Sequence, residues 1–278
     1  MAIKDLIPIT EMPENLVKVP TFLNGVLLKE VKPVYEEARK SNNVFAFESI
    51  DDVAKGSNVP IAGLINKIVA PNFRVAVPTD DIYETIFPMI KGKFYSDLNA
   101  LDVWQVKPNY DRNLKIWRKV NELAEERLKR TPKSAFRIQG FYCIPNKNYK
   151  DYGMKIIPAP NFRVIESDKL SLSSETRFDS LDKEDGMIIP DKNGKFKHYI
   201  LGNGVSRVCL DGIGGLYWGN GNLGYSNGIG RVVLVNAKGV SQKFSAKDYI
   251  NRVQTAYSEK VKKAEAISKK AVSELEKI

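Results

Sequence analysis

Glycine is concentrated between Leu201 and Val235, and this segment constrains the fold more than any other part of the chain. Asn-Gly occurs in it three times, at positions 203–204, 220–221 and 227–228. Asparagine and glycine both tolerate a positive φ, so this dipeptide favours the tight turns of β-hairpins. Strand-forming residues occupy the stretches between the turns, at 205–210, 215–218 and 229–235. The segment therefore predicts antiparallel hairpins and not a flexible linker.

The flanking sequence predicts an α+β fold with a helical N-terminal half, an antiparallel β-rich C-terminal half that contains the glycine and aromatic residues, and a long C-terminal helix. Apolar residues recur at helical spacing between Asp111 and Arg130, which is the clearest helix of the first half. Strands are expected at 135–144 and 155–165, joined by a polar turn at 146–152. The polar and acidic stretch 166–186 is typical of a surface loop.

Four regions follow from these patterns. Residues 1–28 contain three prolines and predict an extended arm, and residues 29–132 predict a mainly helical region. Residues 133–240 predict the antiparallel β-rich region. Residues 245–278 carry an apolar stripe with no glycine or proline, which predicts one long helix packed against another helix.

Composition limits the classes of function. No stretch approaches the roughly 18 apolar residues of a membrane span, and the N-terminus lacks the pattern of a secretory signal. We therefore expect a cytoplasmic or virion location and no membrane partner. The chain has 2 cysteines and 1 histidine, too few for a disulfide framework or for common zinc sites. No nucleotide-binding or hydrolase motif has its required context, so we expect no enzymatic activity, cofactor or metal.

The formal charge of +10 favours an anionic partner such as nucleic acid. Residues 49–68 are similar to a helix-turn-helix: a short helix, a turn at 56–58, and a second helix opened by Pro60. An ordinary helical hairpin fits the same pattern, and Gly63 would weaken the second helix. The nucleic-acid contacts predicted on this basis, together with the basic residues of the following long helix, are Lys55, Asn66, Lys67, Arg112, Lys115, Arg118 and Lys119.

Three aromatic residues lie within the glycine-rich segment: Tyr217, Trp218 and Tyr225. They are candidates for stacking against a carbohydrate ligand, and core packing of the hairpins is the alternative. The stretch from Gly221 to Val232 is similar to the glycine-rich loop of CRISPR-associated RNA-binding proteins with a ferredoxin-like fold. The same region with Trp218 resembles the end of C-type-lectin-like phage display domains. Both resemblances cover a short segment and assign no site residues.

The absence of a catalytic constellation, the proline-rich arm, the turn-rich β region and the long terminal helix together favour a non-enzymatic structural or binding protein. Such a protein acts in an assembly, for example as a component of a phage or virus particle. Its expected partners are other protein subunits in a homo- or hetero-oligomer. The alternative is a basic nucleic-acid-binding protein that uses the helix-turn-helix-like hairpin at 49–68.

Overall fold

The computed structural model describes residues 21–22, 25–41, 53, 55–70, 72–80, 82, 86–108, 111–145, 152, 154–173, 175–200, 202–211, 215–218 and 222–236. All of them belong to one compact unit, Val19–Ala237. Its helices are α1 (Gly25–Ser41), α2 (Val59–Val69), the single turn α3 (Phe87–Ile90) and α4 (Asp111–Leu128), with a 3-10 helix at Asp168–Ser171. Its strands are β1 (Thr21–Phe22), β2 (Phe73–Val75), β3 (Ser96–Val103), β4 (Phe136–Pro145), β5 (Met154–Glu166), β6 (Arg177–Leu181), β7 (Ile188–Pro190), β8 (Phe196–Lys197), β9 (Tyr199–Ile200), β10 (Val205–Asp211), β11 (Gly215–Trp218) and β12 (Val233–Asn236).

A six-stranded sheet in the order β5-β4-β3-β10-β11-β9 is the main element of the described residues. Its neighbouring strands are antiparallel except for β11 and β9, which run parallel. Two three-stranded sheets, β1-β12-β2 and β7-β6-β8, accompany it. The core that joins them contains buried side chains from β3, β6, β10 and β12, with α3 packed among them. Helix α2 packs on β4, β3 and β2, and α4 packs on β5.

The predicted α+β organisation with a helical N-terminal half is wrong, because the described residues are mostly β-sheet. Strand β3 lies in the first half and every one of its residues is buried. The sequence concealed it, since Asp97, Asn99 and Asp102 interrupt the apolar pattern that a strand with two buried faces normally shows. The N-terminal half therefore contributes strands to two of the sheets in addition to its helices.

The ends of the chain bear on two other predictions. The helix predicted for 245–278 lies outside the described residues and receives no support from the structure. Most of the predicted arm, residues 1–20, also lies outside them. Its last residues do not continue an extended conformation, because helix α1 begins at Gly25.

The 166–186 stretch, predicted as a surface loop, contains the 3-10 helix and strand β6. Leu170 of the 3-10 helix and Phe178 of β6 are fully buried.

Gly63 has a packing role that explains its presence inside α2. A β-carbon at this position would lie 2.3 Å from Cys143 Sγ and 2.9 Å from the backbone nitrogen of Cys143. Glycine therefore allows α2 to approach strand β4 closely, at the cost of a weaker local helix preference. Close packing of α2 on the sheet is what buries nearly all of this helix.

Candidate functional site

Helix α2 does not present a recognition surface. Asn58 caps its N-terminus by accepting a hydrogen bond from the Ile61 nitrogen at 2.9 Å. The Asn66 side chain is buried, where its Nδ2 donates to the Phe141 carbonyl and its Oδ1 accepts from the Val75 nitrogen, both at 2.9 Å. Asn66 thus ties α2 to β2 and β4, and its amide cannot reach a base edge.

The two lysines predicted as nucleic-acid contacts at this hairpin do not share an exposed helix face. Lys55 and Lys67 are exposed, but Lys67 is the one exposed residue of α2. Residues 49–52 and 54, which would form most of the first helix, lie outside the described residues. The second helix is therefore confirmed as an element at Val59–Val69, while the burial of its side chains removes the geometry that base readout in a major groove requires.

Three of the predicted basic residues do come together, on helix α4. Lys115, Arg118 and Lys119 are spaced by three and four residues, which places them on one exposed stripe of the helix. The opposite side of the helix carries Ile116, Val120 and Leu123 into the core. Arg112 is on the same helix, in its first turn.

An open groove lies between this stripe and strand β5. It has a volume of about 390 Å³ and is lined by Lys115, Ile116, Arg118, Lys119, Glu122, Met154, Lys155 and Ile156. Among the described residues of the lining, four side chains are cationic and Glu122 is the one anionic residue. Glu122 accepts a hydrogen bond from Lys119 at 2.9 Å, whereas no ion pair joins Arg118 or Lys155 to an acidic group among the described residues. The groove therefore carries an excess of positive charge on its exposed rim.

The two walls of the groove are fastened to each other near its end. Tyr152 is buried just before β5, and its hydroxyl donates to Asn113 Oδ1 in the first turns of α4 at 2.7 Å. Further along, Trp117 Nε1 donates to the Trp104 carbonyl at 2.8 Å and holds α4 against the chain that leaves β3. The Tyr152–Asn113 bond and the packing of α4 on β5 hold the two walls together, so the groove is a preformed feature of the fold.

Lys155 was not among the predicted contacts. It is exposed near the start of β5, between the buried residues Met154 and Ile156. The sequence contains the alternation of buried and exposed residues that points Lys155 outward. It contains no local signal that β5 lies beside α4, since that neighbourhood depends on tertiary packing.

The loop 222–230 is the second unusual feature, and buried polar groups hold it. Asn58 Nδ2 donates to the Gly224 carbonyl at 3.0 Å, and the Ser57 nitrogen donates to Ser226 Oγ at 2.9 Å. The buried Tyr95 hydroxyl accepts from the Asn227 nitrogen at 3.0 Å. The loop is thereby pinned to the N-terminal end of α2 and to the start of β3.

A buried ion pair lies directly beneath this loop. Arg207 Nη2 donates to Asp97 Oδ2 at 2.6 Å, and Arg207 Nη1 donates to the Tyr225 carbonyl at 2.9 Å. The guanidinium carbon also lies 5.5 Å from the centroid of the Tyr95 ring. Above this network the side chains of Tyr225 and Ile229 remain 47% and 56% exposed. A loop fixed in this way presents two large apolar side chains to solvent.

Of the three aromatic residues proposed for ligand stacking, one has a side chain that the structure describes. Tyr217 and Trp218 lie on β11, and their side chains are outside the described part of the structure. Tyr225 belongs to the pinned loop and is exposed. The antiparallel pairing of β10 with β11 is confirmed. The connecting residues 212–214 lie outside the described residues and contain no Asn-Gly pair.

The two cysteines and the histidine do not form a nucleophilic site. Burial raises the pKa of the Cys143 thiol, and Cys143 Sγ contacts Met154 Sδ at 3.6 Å. Burial also raises the pKa of the Cys209 thiol to about 12, so both remain protonated at neutral pH. The described residues contain no group of three metal-ligating side chains and no helix long and apolar enough to cross a membrane.

Comparison with protein-family models, with curated proteins and with solved structures found no match for this chain in any of the three.

Proposed function

We propose that the protein is a non-enzymatic binding component of an assembly, and that it binds nucleic acid in the groove between α4 and β5. The observation that carries the proposal is the clustering of Lys115, Arg118, Lys119 and Lys155 around one open groove whose described lining contains a single acidic residue. A cluster of lysine and arginine side chains on one face is the electrostatic feature that phosphate-backbone binding requires. The chain's overall charge of +10 adds a favourable long-range attraction.

The groove replaces the helix-turn-helix as the proposed contact surface. Phosphate contacts from exposed lysine and arginine side chains give affinity without base-specific readout. Of the residues predicted from the sequence, Lys115, Arg118 and Lys119 remain contacts in this proposal, and Lys155 joins them. Asn66 is left out because its amide is engaged inside the protein.

The salt dependence of binding tests the proposal. We expect the double variant Arg118→Gln, Lys155→Gln to bind a labelled oligonucleotide more weakly than the parent protein, because two phosphate contacts are lost. The slope of log affinity against log salt should fall by roughly 1.4 for a single strand or 1.8 for a duplex. Fluorescence anisotropy between about 50 and 200 mM salt measures both quantities.

The matched control is Arg127→Gln, Lys192→Gln, which removes the same charge from exposed positions outside the groove. It should leave the slope close to the parent value. An equal loss of affinity in both double variants would mean that net charge, and not the groove, governs binding. Absence of binding by the parent protein at low salt would remove the proposal.

The assembly part of the proposal is supported by the pinned loop. Tyr225 and Ile229 are exposed on a segment that several buried hydrogen bonds hold in place, and rigid aromatic and aliphatic side chains are efficient interface anchors. We expect the parent protein to associate with itself or with a partner subunit. The variant Tyr225→Ser, Ile229→Ser should weaken that association roughly ten-fold or more while unfolding at nearly the same denaturant concentration.

Analytical ultracentrifugation over a wide range of concentrations measures self-association, and co-purification from the source cell measures a hetero-partner. Val106→Ser is the control, since Val106 is also an exposed apolar residue but lies away from the loop sequence. A parent protein that stays monomeric and acquires no partner, or a loop variant that associates as well as the parent, would contradict this part.

A further inference from the structure

The tip of the loop 222–230 carries the pair Asn227–Gly228 in a closed turn. The Gly230 nitrogen donates to the Asn227 carbonyl at 3.0 Å, and the Ile229 nitrogen donates to Asn227 Oδ1 at 3.1 Å. The second of these bonds folds the Asn227 side chain back over the peptide bond that joins it to Gly228. The side-chain amide carbon is thereby brought toward the backbone nitrogen of the next residue.

The Gly228 nitrogen is open to solvent and to its neighbour's side chain. Gly228 is exposed, and a β-carbon built on it would meet no atom within 4 Å. No hydrogen bond engages its nitrogen among the residues that the structure describes. Solvent can therefore take the proton from this nitrogen, and no protein contact has to break before the nitrogen reaches the Asn227 amide.

The hydrogen bonds of Asn227 prepare its side chain for attack by a nucleophile. Attack on the amide carbon moves negative charge onto Oδ1, and the Ile229 N–H already donates to that oxygen. A donor placed where an oxyanion develops stabilises the tetrahedral intermediate. The Asn227 nitrogen donates to the buried Tyr95 hydroxyl at 3.0 Å, which holds the attacked residue in position.

The pair Asn203–Gly204 has the same sequence and the opposite surroundings. The Gly204 nitrogen donates to the Val106 carbonyl at 2.7 Å, and Gly204 is buried with a φ of +62°. A β-carbon there would lie 2.5 Å from Cβ of Pro108. Its nitrogen is therefore engaged and covered. The third Asn-Gly pair, at 220–221, lies outside the described residues.

We infer that Asn227 is a site of spontaneous modification in the folded protein, where its amide is converted to aspartate and isoaspartate. The Gly228 nitrogen loses its proton and bonds to Cγ of Asn227, the Cγ–Nδ2 bond breaks, and Nδ2 takes up a proton and leaves as ammonia. Water then opens the resulting cyclic imide at either carbonyl, which restores one peptide bond and one carboxylic acid. The reaction needs water alone as co-reactant, and nothing is oxidised or reduced.

The products change the loop that presents Tyr225 and Ile229. Both add a carboxylate, which is negatively charged at neutral pH. In isoaspartate the main chain runs through the former side-chain carbon, so the backbone gains one methylene group. The carbonyl that accepts from the Gly230 nitrogen then becomes part of a free carboxylate. The expected weakening of association rests on the proposed function of this loop, whereas the modification itself does not.

Peptide mapping by mass spectrometry measures conversion at each Asn-Gly pair separately while the full-length protein is held at mildly alkaline pH. We expect Asn227 to convert at least about five-fold faster than Asn203, since freeing the Gly204 nitrogen costs a hydrogen bond of ordinary net strength. In concentrated urea the two rates should become similar, because glycine follows both asparagines and the fold no longer separates them. A native ratio below about five, or an Asn227 that reacts only in urea, would overturn the inference.

The variant Gly228→Ala tests the proposed route of attack. A methyl group at this position has free space in the fold and requires no positive φ, so the variant should unfold at the same denaturant concentration as the parent. The methyl group crowds the attacking nitrogen, and conversion at Asn227 should slow while conversion at Asn203 is unchanged. An unchanged rate at Asn227 would show that the Gly228 nitrogen is not the nucleophile.

The consequence for association is measured by ultracentrifugation of the parent and Gly228→Ala proteins before and after the alkaline incubation. We expect incubation to weaken association of the parent about five-fold or more, as the loss of one hydrogen bond in the loop would, and to spare Gly228→Ala. Unchanged association of a fully converted parent would contradict the consequence. A parent that never associates would contradict the proposed function, and the peptide maps would still decide whether Asn227 is modified.

Discussion

Replacing Arg137 by methionine is expected to lower the free energy of unfolding by about 3–5 kcal/mol, the range for removing one partner of a buried ion pair. Arg137 and Asp102 face each other on β4 and β3, and both side chains are fully buried. Arg137 Nε and Nη2 donate to the two carboxylate oxygens at 2.7 and 3.0 Å, and Nη1 donates to the Gly186 carbonyl at 2.7 Å. The methionine would leave a buried carboxylate without its cation and a buried carbonyl without its donor.

A double-mutant cycle separates the cost of the uncompensated charge from the cost of lost packing. Adding Asp102→Leu to Arg137→Met removes the stranded carboxylate and should recover a large part of the loss, since apolar replacements of a whole buried pair are often tolerated. Urea unfolding at neutral pH measures each variant. Arg127→Met, at an exposed position, should change stability by about 0.5 kcal/mol or less. A loss below about 1 kcal/mol for Arg137→Met would show that the pair does not hold β3 to β4.

The ion pairs of β3 explain why this strand could not be predicted. Asp97 pairs with Arg207, which lies 110 residues later on β10, and Asp102 pairs with Arg137 on β4. A polar residue in a strand signals solvent unless its partner is known, and these partners are distant in sequence. By contrast, β4, β5, α4 and the β10–β11 hairpin were predicted within a few residues, because local periodicity and turn residues determine them.

The candidate site was predictable to a similar, partial extent. The stripe of Lys115, Arg118 and Lys119 follows from helical spacing alone. The groove does not, because it requires β5 to lie beside α4 and requires Tyr152 to join them. Asn66 was predicted to contact nucleic acid because it is a polar residue on a short helix. In the structure its amide instead forms hydrogen bonds with three strands inside the core. Burial decided the role of each residue, and burial depends on long-range packing.

The second prediction with a large expected effect concerns His198 and the loss of folding stability at low pH. It is fully buried, and burial lowers its pKa to about 3, with the nearby Arg137 guanidinium acting in the same direction and a backbone hydrogen bond with Ser173 acting against it. In the unfolded chain the imidazole has a pKa near 6.5. The folded state therefore binds this proton less readily than the unfolded state, and stability is lost as the pH falls from about 6.5 toward 3. A shift of this size corresponds to about 4 kcal/mol at the acid end of that range.

The variant His198→Gln isolates this contribution, because carboxylates titrate in both proteins and cancel in the difference. The parent should lose stability relative to the variant by up to about 1.4 kcal/mol per pH unit between pH 6 and pH 4. Urea unfolding at pH 7, 6, 5 and 4 measures that difference. The chain contains 1 histidine, so its imidazole proton resonance can be followed by NMR without assignment and should not shift between pH 8 and pH 5. A titration midpoint near 6.5, or a stability difference independent of pH, would mean that solvent reaches the imidazole in the folded protein.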